Sequence, residues 1–305
     1  MATPVKNGMN KKSIQELDHL NLPLIVILGP TASGKSAIAM RVAKQLNGEI
    51  ICADSRTIYK HMDIGTAKPS KQDQAEIPHW GIDLVEPGEV FTAADFKNYA
   101  TKKISEIRSR GHVPLLVGGS GLYIDGVIFD YQFAKPNPTM RAKLEAMTLN
   151  ELKQYCSSHN IKLPKNENNR RYVIRTIEKQ GKTVNRGEKP ISNTIIVGIT
   201  TSTEELKHRI GLRSEQLFET GMVDEAKKLG EKYGWDSEAM TGNIYKIVKQ
   251  YLDGTIDFDE LKRRNETADW HLAKKQLTWF KRNPYITWKP LNEAYEYIIG
   301  SVTSL

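Results

Sequence analysis

Gly29-Pro30-Thr31-Ala32-Ser33-Gly34-Lys35-Ser36 satisfies the pattern G-x-x-x-x-G-K-[ST] at every fixed position, and the spacing has a mechanical reason. Glycines at both ends let the backbone curl until its N–H groups point into one concavity. Lys35 adds a mobile positive charge, Ser36 offers a hydroxyl to Mg²⁺, and a helix starting there brings its positive dipole end. Gly29 to Ser36 therefore form a seat for two linked phosphates. The loop is of the nucleotide-binding type that takes ATP in other proteins, and the motif does not say whose phosphates sit here.

Other candidates lie further along. Asp54 could be a Mg²⁺ ligand, a general base or the N-cap of a following helix, and the residue type alone does not choose. In Gly118-Gly119-Ser120-Gly121 the glycines let a ligand or another backbone come close, with the Ser120 hydroxyl beside it; a tight strand-to-helix turn reads equally well. Arg209 and Arg213, one helical turn apart, could close over a diphosphate or form a surface pair. His79 reads as structural.

The elements that must position these groups follow from patterning. Leu24-Ile25-Val26-Ile27-Leu28 is apolar and β-branched, as a strand covered on both faces must be. A helix from Lys35 to Leu46 carries Ile38, Val42 and Leu46 at helical spacing, with Gly48 as its stop. Glu49 to Ala53, Val113 to Val117 and Thr194 to Ile199 read as further strands, and His79 to Val85 as a short one. Ligands in open α/β sheets gather beyond the carboxyl ends of strands, which puts Asp54 and Ser120 on the edge of the phosphate loop. Tyr59 to Pro78 reads as a loop over the site, and Thr92 to Arg110 as a helix capped by Thr92 and Asp95 and closed by Gly111.

Beyond Phe129 the composition changes. Residues 131–190 read as a helical insertion into a core made of 21–130 and 191–305, with 1–20 a disordered extension. From Lys162 to Lys189 there are nine Lys/Arg against three acids. Arg171 and Arg175 share one helix face while Val173 and Ile177 share another, which suits either a solvated stripe or phosphate contacts. From Trp270 to Lys289 there are five Lys/Arg, no acid and three of the five tryptophans. Basic residues among flat aromatics suit nucleic acid; the alternative is that Trp270, Leu277 and Trp279 pack their helix onto the core. The 305 residues, 39% hydrophobic and 26% charged with a net charge of +8, fit a globular chain that favours a polyanion. Cys52 and Cys156 stand apart without ligand neighbours, which argues against a disulfide framework and a zinc site. No apolar leader or span is present, so a cytoplasmic protein with no membrane partner is expected.

The phosphate loop, then Asp54-Ser55-Arg56-Thr57-Ile58-Tyr59, Met62 to Pro69, Ala93-Ala94-Asp95-Phe96 and Leu116 to Tyr123, closely resembles the bacterial tRNA dimethylallyltransferase (tRNA isopentenyltransferase) family. Gly221 to Glu225 and Ala273 to Phe280 extend the likeness, which covers most of the chain from Leu24 to Trp288. The resemblance implies an α/β fold: a P-loop kinase-like core with a parallel sheet flanked by helices, plus the helical insertion. Its loop would hold dimethylallyl diphosphate, whose prenyl group moves to N6 of the adenosine 3′ to the tRNA anticodon. Carried over by residue, the catalytic set is Lys35, Asp54, Ser120 and Arg213. Asp54 becomes the base for the attacking amine, Ser120 stands where the family has threonine, and Ser36 takes Mg²⁺. Asp54, Ser55, Arg56, Thr57, Arg171, Tyr172, Val173, Ile174, Arg175, Tyr245, Lys246, Lys274 and Lys275 would face the anticodon stem-loop. Where relatives carry Ile-Gly-Tyr-Lys/Arg, this chain has Thr241-Gly242-Asn243-Ile244-Tyr245-Lys246. A monomer is expected. The same core would also suit ATP-dependent phosphoryl transfer, which leaves the basic insertion and the tryptophans unexplained.

Overall fold

The structure, a computed structural model, describes residues 22–133, 137–180 and 185–304; the expected extension 1–20 lies outside them. Six strands, β1 (Leu24–Leu28), β2 (Gly48–Ala53), β3 (His79–Trp80), β4 (Val113–Gly118), β5 (Thr194–Thr200) and β6 (Thr287–Pro290), form one parallel sheet in the order β3-β2-β4-β1-β5-β6. β1 is central and every residue of it is buried, as its unbroken apolar run requires. The helices of the larger unit are α1 (Lys35–Leu46), α2 (Lys71–Glu76), α3 (Ala93–Ser109), α4 (Gly121–Ile128), α8 (Thr203–Glu219), α9 (Met222–Tyr233), α10 (Asn243–Leu252), α11 (Phe258–Phe280) and α12 (Leu291–Thr303). Ile38, Val42 and Leu46 of α1 and Ile298, Ile299 and Val302 of α12 pack with Ile25, Ile27, Leu115, Val117, Val197 and Ile199 in one core.

Register brings the site together. Leu28 pairs with Gly118 and Gly118 with Ala53, so the phosphate loop, Asp54 and Gly119-Ser120 all leave the sheet from one row. Gly118 is required there, because a Cβ would run into the Ala53 backbone.

Boundaries differ from expectation for local reasons. Asn47, not Gly48, ends α1, in the left-handed conformation at φ 50° that asparagine tolerates, and Gly48 already belongs to β2. The expected loop 59–78 contains α2, nucleated by a Ser70/Asp73 capping box. The strand expected over 79–85 is only His79–Trp80 at the sheet edge. β6 has no apolar run, since an edge strand is only half covered.

Phe129–Lys189 forms a separate compact unit, the described residues up to Ile128 and from Pro190 onward forming the larger one. It holds α5 (Pro138–Ala146), α6 (Leu149–Ser158) and α7 (Arg170–Glu178), packed around Leu144, Leu152, Cys156, Val173, Ile174 and Ile177. Arg170 donates to the carbonyls of Leu144, Glu145 and Met147 at the end of α5, and Arg141 Nη1 meets both Glu178 carboxylate oxygens at 3.0 Å.

Candidate active site

Beyond the carboxyl ends of β1, β2 and β4 the larger unit opens into a cavity of about 790 Å³. That is room for a small ligand together with a base. Its walls include Thr31, Gly34, Lys35, Ser36, Asp54, Ser120, Arg213 and Gln276, with Gly65 to Pro69 over it, so the lid expected from the sequence does face the site.

On one side lie groups that want an anion. Gly34 sits at φ 85°, a conformation glycine takes without strain, and turns the loop into α1. The amides of the first turn of α1 then have no intrahelical acceptor. The Lys35 ammonium is enclosed, 3.2 Å from the Pro30 carbonyl oxygen. Enclosure lowers its pKa to about 8, with Arg213 pushing the same way and Asp54 opposing. Arg213 Nη1 donates to Thr31 Oγ1 at 2.6 Å and Arg209 Nη1 to the Ser33 carbonyl at 3.2 Å, so both arginines hold the loop. Arg213 Nε, 4.0 Å from Asp269 Oδ2, and Ser33 Oγ are buried without a hydrogen-bond partner among the described residues. Burial raises the pKa of Asp269, and Arg213 draws it back down.

On the other side lies the carboxylate. Asp54 Oδ1 accepts the Arg56 N–H at 2.8 Å, and turns rather than a helix follow it, so the N-cap alternative falls. Ser120 Oγ accepts the Ser55 N–H at 3.0 Å, which leaves its own hydrogen to donate, and its carbonyl starts the turn into α4 that the alternative reading expects. His79, against Ile77 O at 2.8 Å, has its pKa lowered chiefly by burial, in keeping with a structural role.

Of the residues expected on RNA, Val173 and Ile174 face a core, whereas Arg56, Thr57 and Tyr245 line the cavity. Val173 and Ile174 fill the core of the smaller unit, because they form the apolar face of α7; Arg171 and Tyr172 are exposed and Arg175 partly so, the last paired with Glu178 at 3.1 Å. Arg56 is engaged with the carbonyls of Glu238 and Ala239 and with Thr241 Oγ1 at 3.1–3.3 Å, and Thr57 is buried. Tyr245 is 1% exposed and donates to Glu225 Oε1 at 3.0 Å. Burial and the Glu225 charge raise its pKa. Lys246, Lys274 and Lys275 are exposed. Lys246, His271 and Lys275 line a hollow of about 320 Å³ that shares Asn243, Leu272 and Lys275 with the main cavity.

Two structural roles were missed in the sequence. Glu225 accepts N–H bonds from Asp63, Ile64 and Gly65 at 2.7–2.9 Å, fixing the lid; the run from Gly221 to Glu225 was the available signal. Gln276 Oε1 accepts the Thr31 N–H at 2.8 Å. The tryptophans pack: Trp279 donates to Asp125 Oδ2 at 2.7 Å over Gly121, and Trp270 lies against Leu206, Ile210 and Ala273.

Residues 57–283 match the family described as IPP transferase. The chain belongs to that family. A tRNA dimethylallyltransferase of Bacillus velezensis is 35% identical over 306 residues, 92% of this chain and 98% of that relative. The crystal structure of the full-length tRNA isopentenylpyrophosphate transferase of Bacillus halodurans superposes with a TM-score of 0.70 at 34% identity, covering 92% of this chain and 97% of that one. A eukaryotic dimethylallyltransferase captured acting on tRNA, 23% identical, gives a TM-score of 0.73 over 91% of this chain and 76% of its own, and so shares the fold. The six-stranded parallel sheet flanked by helices is thus the IPP transferase architecture. No helix among the described residues is long and apolar enough to cross a membrane.

Proposed function

We propose that this IPP transferase moves a dimethylallyl group from dimethylallyl diphosphate to the exocyclic N6 of the adenosine 3′ to a tRNA anticodon. The observation that carries the reading is the make-up of one cavity: the Lys35 ammonium, the Arg213 guanidinium and the start of α1 line it together with the Asp54 carboxylate and the Ser120 hydroxyl. The amine nitrogen bonds to the allylic carbon as the carbon–oxygen bond to diphosphate breaks, the bonding pair leaving with diphosphate and the amine proton passing to Asp54. Lys35, Arg213 and the loop amides offset the charge that develops on the leaving group. Asp54 Oδ1 is anchored on the Arg56 N–H, which orients the other oxygen for the proton. Ser120 can donate its hydrogen to the reacting groups.

Among the described residues no cluster of three acidic, histidine or cysteine side chains could hold a metal alone. Mg²⁺ needs none, since it keeps waters and shares substrate phosphates. Ser36, exposed on the first turn of α1 and lining the cavity, fits that mode, and the ion would neutralise diphosphate charge. Taking the base out of its stack costs a few kcal/mol, which the hollow lined by Lys246, His271 and Lys275 helps to offset through phosphate contacts.

The test is purified chain with dimethylallyl diphosphate and an unmodified anticodon stem-loop, with AMP as alternative acceptor. A mass gain of one dimethylallyl group on the stem-loop, with AMP very poor, is expected. ATP turnover on a small acceptor without prenylated RNA would overturn the reading.

A further inference from the structure

Thr31 stands at the strand end of the phosphate loop, where its hydroxyl oxygen and its N–H each have a partner. Its hydroxyl meets Arg213 Nη1 at 2.6 Å and its N–H meets Gln276 Oε1 at 2.8 Å. Only an acceptor satisfies an N–H, so the carboxamide is oriented with its oxygen on the loop and its nitrogen away. Gly119 leaves room for that nitrogen, because a Cβ there would collide with Gln276 Nε2. At the helix end of the same loop the first-turn amides of α1 and the Lys35 ammonium remain for a ligand. A phosphate chain seated on the helix end and growing toward the Thr31 N–H meets the Gln276 acceptor oxygen in place of that donor. A third phosphate would have to displace Gln276, and phosphate oxygen against amide oxygen is repulsive.

We propose that Gln276 sets the phosphate length this site accepts, admitting a diphosphate and rejecting a triphosphate. The inference deepens the proposed function and rests on its placing of a diphosphate in the loop. It also explains how a loop of the ATP-binding type can serve a donor that is not a nucleoside triphosphate.

The experiment is calorimetric binding of inorganic diphosphate and inorganic triphosphate, each with Mg²⁺, to the full chain and to its Gln276→Ala and Gln276→Met variants. The wild-type chain should bind diphosphate about tenfold or more tighter than triphosphate. Gln276→Met, which keeps the length but removes the oxygen, should narrow that ratio by about tenfold, through tighter triphosphate binding. A wild-type chain without the preference, or a wild-type ratio in Gln276→Met whatever Gln276→Ala does, overturns the proposal. Prenyl transfer to the stem-loop by the wild-type chain is run alongside. Its absence would sink the proposed function and leave the phosphate-length result to stand or fall by itself.

Discussion

Lys35 shows how burial tunes a residue that sequence can only name. Enclosure lowers its pKa to about 8, so at neutral pH it is mostly charged and above about pH 8 it is mostly neutral. Donor capture by the free enzyme should therefore weaken as pH rises through about 8, read as a fall in kcat/KM for the prenyl donor. Lys35→Arg, permanently charged, should remove that inflection even if it lowers the plateau. Stability moves oppositely: between about 8 and the ordinary value of 10.5 the unfolded chain binds more protons at this position, so the burial penalty eases as pH rises. The Gly29 to Ser36 pattern names Lys35 as the expected phosphate ligand. Its shifted pKa was not legible, because Arg213 and the walls that enclose it are distant in sequence.

At the scale of elements, the lid is held by one carboxylate. Glu225 on α9 accepts three successive amides, Asp63, Ile64 and Gly65, and the Tyr245 hydroxyl of α10 as well. Gly65 is needed for that approach, since a Cβ would lie 2.6 Å from Tyr245 Oη. Glu225→Ala should cost about 2 kcal/mol of stability and expose those three amides to hydrogen exchange, while the β1 amides stay protected. Unchanged protection at 63–65 would show that the lid is held otherwise. The strands β1, β2, β4 and β5 were legible because a buried parallel strand must be apolar throughout. β6 and the clamp were not: Thr287-Trp288-Lys289-Pro290 has no such run, and a glutamate 160 residues from its amide partner leaves no periodic trace. Val173 and Ile174 went to the wrong side because a motif names positions and not the direction in which each faces.

For the whole molecule the net charge of +8 matters less than its placement. Arg171 and Arg175 on α7 are the cations of the smaller unit to test first. Replacing each by glutamine should weaken stem-loop binding and reduce the slope of log affinity against log salt by about 0.7–0.9 for every phosphate that the side chain had neutralised. A slope unchanged in both would assign that stripe to solvent. The central claim joins the two sides of the cavity, a diphosphate on the loop and an RNA base at Asp54. Asp54→Asn tests it most directly, with single-turnover prenyl transfer to the stem-loop and binding of RNA and diphosphate measured on one preparation. Binding should stay within about threefold of wild type while transfer falls by about 10² to 10⁴. Transfer at the wild-type rate with binding intact would contradict the account.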